Sequence, residues 1–189
     1  MENVLTVKRT LIEKFLPAKG ISSENSRAVV DIINENFEFI PRGIAENDPS
    51  HKQIIPYVVI CRKDEVFVMR RLKKGGESRL HGLLSLGVGG HINSEYDLGG
   101  NILENGMRRE IDEEVFIEKP GELTARGLIN DDQNEVGRVH LGLFFTMETQ
   151  GEVSVRETEK LEGFWVKRNE LSKMQESMET WSQLVIPML

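Results

Sequence analysis

The sequence predicts an α/β fold, an α/β/α sandwich in which helices pack on a mixed sheet. Three observations carry that expectation. Apolar runs of strand length, rich in Val and Ile, lie on both sides of residues 100–117. Within that stretch Leu103, Met107, Ile111 and Val115 follow at i+4 steps, the spacing of a buried helical stripe. A second helical pattern closes the chain, with Met174, Met178, Trp181, Leu184 and Val185 on one face.

The other elements follow in order. Val4, Val7, Leu11 and Phe15 come near helical spacing and fit a helix, or a strand and a helix, ended by Pro17 and Gly20. Ser22-Ser23 offer an N-cap to an amphipathic helix through Val29, Val30, Ile32, Ile33 and Phe37 to about residue 39. Residues 1–40 therefore read as an N-terminal helical extension packed on a main domain of residues 41–189. Residues 42–53 are polar and read as a loop. Ile54–Cys61 and Val66–Arg71 form a hairpin that turns at Arg62-Lys63-Asp64-Glu65. A second loop runs over Lys73–Glu77, and LLSLGVGGHI, residues 83–92, is a strand interrupted by glycines. Beyond the central helix, strands near Leu123–Ile129 and Arg138–Met147 enclose an acidic turn, Asn130–Gly137. Val153–Val155 and Leu161–Lys167 are further strands, and Asn169-Glu170-Leu171 opens the C-terminal helix.

A chain of 189 residues is long enough for one domain with a real core. Its net charge of −7 excludes a general binder of nucleic-acid polymers or anionic membranes. An anionic small molecule stays admissible, because a bound metal inverts the local field. Cys61 is the only cysteine and lies in an apolar run, so a buried thiol and no internal disulfide are expected, as in a reducing cytoplasm. The first twenty residues scatter charges through their apolar positions, unlike a secretory signal. No apolar run approaches the roughly 18 residues of a membrane span, and no G-x-x-x-x-G-K-[S/T] occurs.

On the central helix, Glu110, Glu113 and Glu114 fall within an arc of roughly 100° at one edge of the apolar stripe. Three carboxylates are thus expected to converge on one spot, with oxygen ligands suited to a hard cation such as Mg²⁺. At these residues the chain resembles the Nudix family, whose box reads G, five residues, E, seven residues, R-E-U-x-E-E-x-G-U, with U aliphatic. Arg109, Glu110, Ile111, Glu113, Glu114 and Ile117 match, and Gly90 fits the opening glycine. Asn101 stands where the family has Glu, ten residues rather than five separate it from Gly90, and Phe116 replaces the late glycine. The wider resemblance takes in Gln53-Ile54-Ile55-Pro56-Tyr57, Arg79-Leu80-His81-Gly82, Gly87–Ile92, Trp165-Val166 and Glu170-Leu171. It covers roughly residues 40–175 and points to a subgroup described only as predicted phosphoesterases.

The resemblance implies the same α/β/α architecture and a metal-dependent hydrolase that cleaves the pyrophosphate bond of a nucleoside diphosphate derivative by attack of water on phosphorus. It implies Mg²⁺, or Mn²⁺, held by Glu110, Glu113, Glu114 and the Gly90 carbonyl, with Glu113, Glu110 and Arg109 in the catalytic machinery. The expected partner is a small phosphate-containing molecule, and the resemblance allows a homodimer. Arg70, Arg71, Lys73, Lys74 and Arg79 form the densest basic stretch. Arg71 and Arg79 from it, with His91 and Asp131, are the candidate substrate contacts. The general base stays open among Asp131, Asp132, Glu135, Glu95 and Asp97, and either of the last two is a stand-in for the Glu missing at 101. Tyr57, Tyr96, Phe39 and Trp165 are equally open as stacking partners. His81 flanks the glycine strand, and His140 reads as a structural histidine. Two other functions are weighed: a Nudix-fold module that senses a nucleotide without chemistry, and an enzyme like isopentenyl diphosphate isomerase. The isomerase needs a cysteine on the strand before the box, and SLGVGGHI has none.

Overall fold

The computed structural model describes residues 2–72 and 82–189, so the expectations placed on Lys73, Lys74, Arg79 and His81 lie outside the described residues. The chain forms two compact units. One comprises Met1–Tyr57, Gly89–Arg109 and Arg126–Phe144, the other Val58–Val88, Glu110–Ala125 and Phe145–Leu189. Among the described residues no helix is long and apolar enough to cross a membrane.

In the first unit, β1 (Asn3–Lys8) pairs antiparallel with β3 (Glu38–Pro41), from Asn3↔Pro41 to Thr6↔Glu38. It also pairs with β4 (His51–Arg62), from Thr6↔Gln53 to Lys8↔His51. After the short helix α1 (Arg9–Ile12), β2 (Lys19–Ser22) pairs with β9 (Pro120–Asp131) from Lys19↔Asp131 to Ser22↔Leu128. Helix α2 (Ser26–Asn36) buries Val29 and Ile33, and α3 (Arg42–Ala45) follows β3. The expected helical extension over residues 1–40 is thus corrected: three of its segments are strands woven into sheet pairing. Val4, Leu5, Thr6 and Val7 are buried in unbroken succession, as in a strand covered on both faces. The polar stretch 42–53 is likewise shorter as a loop than expected, because β4 starts at His51. The acidic turn contains a short helix, α5 (Glu135–Val139), whose N-cap Asn134 accepts from Gly137 N, and β10 (His140–Thr149) follows.

In the second unit, β4 and β5 (Glu65–Arg71) form the expected hairpin, closed at Arg62↔Glu65 over Lys63-Asp64, with Lys63 at φ 54°. Seven residues of β5 pair with β12 (Leu161–Lys167). The glycine-interrupted strand is two short pieces. β6 (Leu84–Ser85) lies on β5 and β7 (Gly87–Val88) on β4. The hydrogen-bonded order of the main sheet is β12-β5-β4-β10-β9-β2. Helix α4 (Ile102–Glu114) runs directly into β8 (Val115–Ile117), which pairs with β11 (Val153–Val155). The expected C-terminal helix is broken into α6 (Leu171–Met174) and α7 (Thr180–Val185). Met178 between them is extended, at φ −100° and ψ 153°, and makes a parallel bridge with Leu84. That long-range bridge overrides the local helical spacing.

Lys52 is wholly buried, in the stretch expected to be a loop. Its ammonium lies 2.8 Å from Asn130 Oδ1, 2.7 Å from Asp132 Oδ1, 2.7 Å from the Gly137 carbonyl and 3.2 Å from the His140 carbonyl. Arg9 completes the pairing of Asp132. Burial pulls the Lys52 pKa down to about 8, opposed by the hydrogen bond and charge of Asp132. Against its own partial burial, Asp132 is held below the usual carboxylate range by hydrogen bonds from Lys52 and Asn130.

Lys52→Met is expected to destabilise the protein by about 3 kcal/mol, because buried acceptors lose their donor. A fall in the urea midpoint at constant m reads it. Between pH 8 and 10.5 the unfolded chain keeps a Lys52 proton that the folded chain has released, so this group makes stability rise with pH there and adds no slope below it. The stability difference between wild type and Lys52→Met should therefore widen across that window and be flat beneath it.

Candidate active site

The carboxylate-bearing helix α4 is positioned by three local devices. Asn101 is its cap: its Oδ1 accepts from Glu104 N at 3.3 Å, and its Nδ2 donates to Glu104 Oε2 at 3.4 Å. The position that resembles a family glutamate is thus a helix start. Ile102, Leu103, Met107 and Ile111 are buried along one stripe, as expected, and Val115 continues it into β8. Gly106 lets the helix approach Ile92, whose Cγ1 would stand 2.7 Å from a Cβ at that position.

The third device is an ion pair. Arg109 Nε donates to Asp97 Oδ1 and its Nη2 to Asp97 Oδ2, both at 2.9 Å, while Nη2 also donates to the His91 carbonyl at 2.8 Å. Asp97 is only 1% exposed, and its Oδ2 accepts Asn93 N at 2.8 Å. Of the two loop acids expected to stand in for the Glu missing at 101, Asp97 is the one turned inward, and Glu95 is exposed.

Arg109 and His91 are therefore brought together in the first unit. The His91 ring meets His140, Nε2 to Nε2, at 3.3 Å. His140 Nδ1 donates to the Val136 carbonyl at 2.7 Å, so in a neutral ring its Nε2 accepts from His91. Burial, with Arg42, His140 and Arg109 nearby, pushes the His91 pKa down to about 3, and the ring is neutral at physiological pH. Gly90, half-buried, follows Gly89, whose place only glycine can take because a Cβ would collide with the Pro56 carbonyl.

Asp131, expected as a substrate contact, is held within its own turn. It is wholly buried, and its carboxylate accepts Gln133 N at 3.2 Å and Asn134 Nδ2 at 2.7 Å, closing the turn. Asp132 is engaged by Lys52 and Arg9, which removes a second candidate base. Trp165 packs edge-on to Phe67 with Arg62 over its ring, and Tyr57 is buried. Phe39 stacks edge-on with Phe37, and Tyr96 is 71% exposed. Phe116 is paired with Ser154 in β8, where the chain leaves the helix straight into a strand, and Arg156 lies 5.7 Å from its ring centroid.

In the second unit Glu113 is exposed, while Glu110 and Glu114 are half-buried. Glu114 Oε2 is buried and meets no hydrogen-bond partner among the described residues. Burial pushes the Glu114 pKa up to about 7; Arg71 opposes this, and the charges of Glu110, Glu179 and Glu157 add to it. Arg71 Nε is itself buried without a hydrogen-bond partner among the described residues. An unsatisfied carboxyl oxygen and an unsatisfied guanidinium nitrogen in one electrostatic neighbourhood suit a hard cation and a phosphate oxygen respectively. The convergence of the three carboxylates is corrected in one respect. Among the described residues no three His, Cys, Asp or Glu are grouped closely enough to hold a metal ion by themselves. Magnesium ordinarily takes only one or two carboxylates and completes its shell with water and substrate phosphates, so the residues present fit it.

Residues 51–189 match the NUDIX domain family. Protein YmaB of Bacillus subtilis (strain 168) is 42% identical over 184 residues, which cover 92% of this chain and 89% of that protein. The crystal structure of Tm1382, a candidate Nudix hydrolase, superposes with a TM-score of 0.85 at 33% identity, over 99% of this chain and 97% of Tm1382. The Nudix domain of Shewanella oneidensis NrtR, solved with ADP-ribose, has the same fold at a TM-score of 0.56 and 14% identity, over 72% of this chain and 84% of that one.

Asp97 and Arg109 should behave as one energetic unit. In a double-mutant cycle of Asp97→Asn and Arg109→Gln followed by urea unfolding, the coupling energy is expected to be about 1–3 kcal/mol. Additive single losses would deny the pair that role.

Proposed function

Because the chain belongs to the Nudix family of hydrolases, which act on pyrophosphate bonds, we propose that it is a metal-dependent hydrolase of nucleoside diphosphate derivatives. In this reading one or two carboxylates from among Glu110, Glu113 and Glu114 hold Mg²⁺ or Mn²⁺, water and substrate phosphates complete the shell, and Arg71 takes substrate phosphate oxygens. The observation that carries it is Glu114 Oε2, a buried carboxylate oxygen with no hydrogen-bond partner among the described residues, on the helix that also bears Glu110 and Glu113. Such an oxygen is costly unless something satisfies it. When bound, the cation supplies charge neutralisation at the phosphoryl oxygens and a more acidic water. The chain's own contribution is positioning. Arg109, clamped by Asp97, keeps the helix in register with the loop before it. Arg71, planar and permanently charged, suits bidentate contact with a phosphate. A small-molecule phosphate substrate and a cytoplasmic setting belong to the same reading.

The sensing alternative leans on the departures from the family box. Asn101 now has a structural explanation as a helix cap, and three carboxylates are retained. The isomerase alternative needs a reactive cysteine, whereas Cys61 is buried within β4.

The test is a panel of nucleoside triphosphates, ADP-ribose, NADH, dinucleoside polyphosphates and nucleotide sugars, assayed with and without Mg²⁺ or Mn²⁺. Turnover is expected to require metal and to fall by about two to three orders of magnitude in Glu113→Gln. The circular dichroism of that variant should be unchanged, because Glu113 is exposed. Full turnover in the variant would sink the site assignment; nucleotide binding without turnover in wild type would favour the sensor.

A further inference from the structure

The first residue of β4 carries an arrangement that the proposed reaction does not use. His51 stands opposite Lys8 on β1, and Glu38 on β3 stands opposite Thr6. Thr6 and Lys8 are two residues apart on one strand, so Glu38 and His51 project from the same face of the sheet, and the His51 ring reaches diagonally across β1. Its Nε2 lies 2.9 Å from Glu38 Oε1. Its Nδ1 lies 2.7 Å from Asp48 Oδ2, in the turn that leads from α3 into β4. The His51 side chain is only 15% exposed, against 43% for Glu38 and 32% for Asp48.

This arrangement is whole in only one protonation state. A carboxylate accepts and does not donate, and a neutral imidazole has a single N–H. Ser50 gives no relief. Its hydroxyl donates to Asp48 Oδ1 at 2.6 Å, so toward His51 Nδ1, 2.9 Å away, its oxygen accepts. Both ring nitrogens therefore face acceptors, and only an imidazolium donates to both. A neutral ring turns a lone pair onto one of the carboxylates. Of the cations on neighbouring elements, Arg9 and Lys52 are engaged by Asp132, Arg42 by Glu2 and Glu46, and Lys8 is exposed. Hydrogen bonds from the Ser50 hydroxyl and Ser50 N, and then from His51, hold Asp48 below the usual carboxylate range, so it stays an acceptor to lower pH than a free acid.

We propose that His51 is a proton-operated clasp that fastens β3 and the turn at Asp48 to the start of β4. Charged, it closes the excursion of residues 39–50, which includes α3, at its base; neutral, it releases one of its two carboxylates. The unfolded chain has no such pair of acceptors in place, so proton binding at His51 favours the closed clasp. The clasp is complete while the ring holds both protons and loosens as pH rises and the ring gives one up, a change that imidazoles ordinarily make near neutrality. It stands apart from the hydrolase reading.

The experiment is nuclear magnetic resonance of the full-length protein between about pH 5 and 9. Ring ¹⁵N shifts, assigned through the His51 backbone, count its N–H protons. Amide exchange in the same samples, corrected for intrinsic rates, gives the opening equilibrium of residues 38–51. Two ring N–H protons are expected on the acid side, with an opening constant that rises by about fivefold as the second proton leaves. In the double variant Glu38→Gln with Asp48→Asn, whose amides accept or donate as the ring requires, opening should no longer follow the charge of His51. A ring that is neutral throughout, or opening that stays constant while the ring titrates, overturns the clasp. So does opening that follows the ring equally in the double variant. If the double variant does not fold, Glu38→Gln alone is measured; opening less dependent on the ring charge than in wild type supports the clasp, and equal dependence overturns it.

Discussion

The ion pair between Asp97 and Arg109 is the constraint on which the placement of the carboxylate helix depends. A charged pair taken out of water gains little unless every remaining polar atom finds a partner. Here Asp97 also accepts Asn93 N, and Arg109 also donates to the His91 carbonyl. The pair therefore ties the helix to the loop ahead of it and to the segment that follows the paired glycines. The ten residues between Gly90 and Asn101 acquire a physical purpose from this. They are long enough to fold back, and Asn105 Nδ2 holds them by donating to the Asp97 and Gly99 carbonyls. An acid in the loop then meets Arg109 while Asn101 caps the helix.

Three polar side chains show how differently the chain treats charge. Lys52 is wholly enclosed and surrounded by four oxygens, one of them an anion that Arg9 also engages. That is a structural solution, in which each donor is spent on a fixed acceptor. Glu114 and Arg71 are the opposite case, each with a buried atom that no partner among the described residues satisfies. Native interiors rarely leave such atoms without reason, and a ligand that brings both a cation and a phosphate supplies both partners. The same contrast separates Asp131, consumed by its own turn, from the carboxylates of α4.

The legible elements were those whose signal is local. The β4–β5 hairpin, β11 and β12 carry apolar, β-branched runs with turn residues between them, and these runs formed strands. Helix α4 carries an i+4 stripe, and it is buried along that stripe. The less legible elements depend on partners distant in sequence. The residues of β1 have spacing that suits a helix as well as a strand, and pairing with β3 and β4 decides between them. The C-terminal segment has a consistent helical face, yet Met178 bridges Leu84 and interrupts it. Short elements such as β3, β8 and α5 are too brief for periodicity to declare.

By itself the sequence determined the carboxylate helix, its buried stripe and the family to which the chain belongs, because all three are written within about thirty contiguous residues and in the ordinary 3.6-residue period. It also narrowed the acid beside the helix to Glu95 or Asp97 without choosing. Only the tertiary structure decided that Asp97 turns inward, that Asp131 is spent on its turn, that Lys52 is buried and that His51 stands between Glu38 and Asp48. Each of those outcomes is set by hydrogen-bond partners that packing brings together from distant parts of the chain. Local propensity carries no information about such partners, since the same side chain is a solvated acid, a turn cap or a buried ligand according to what folds against it.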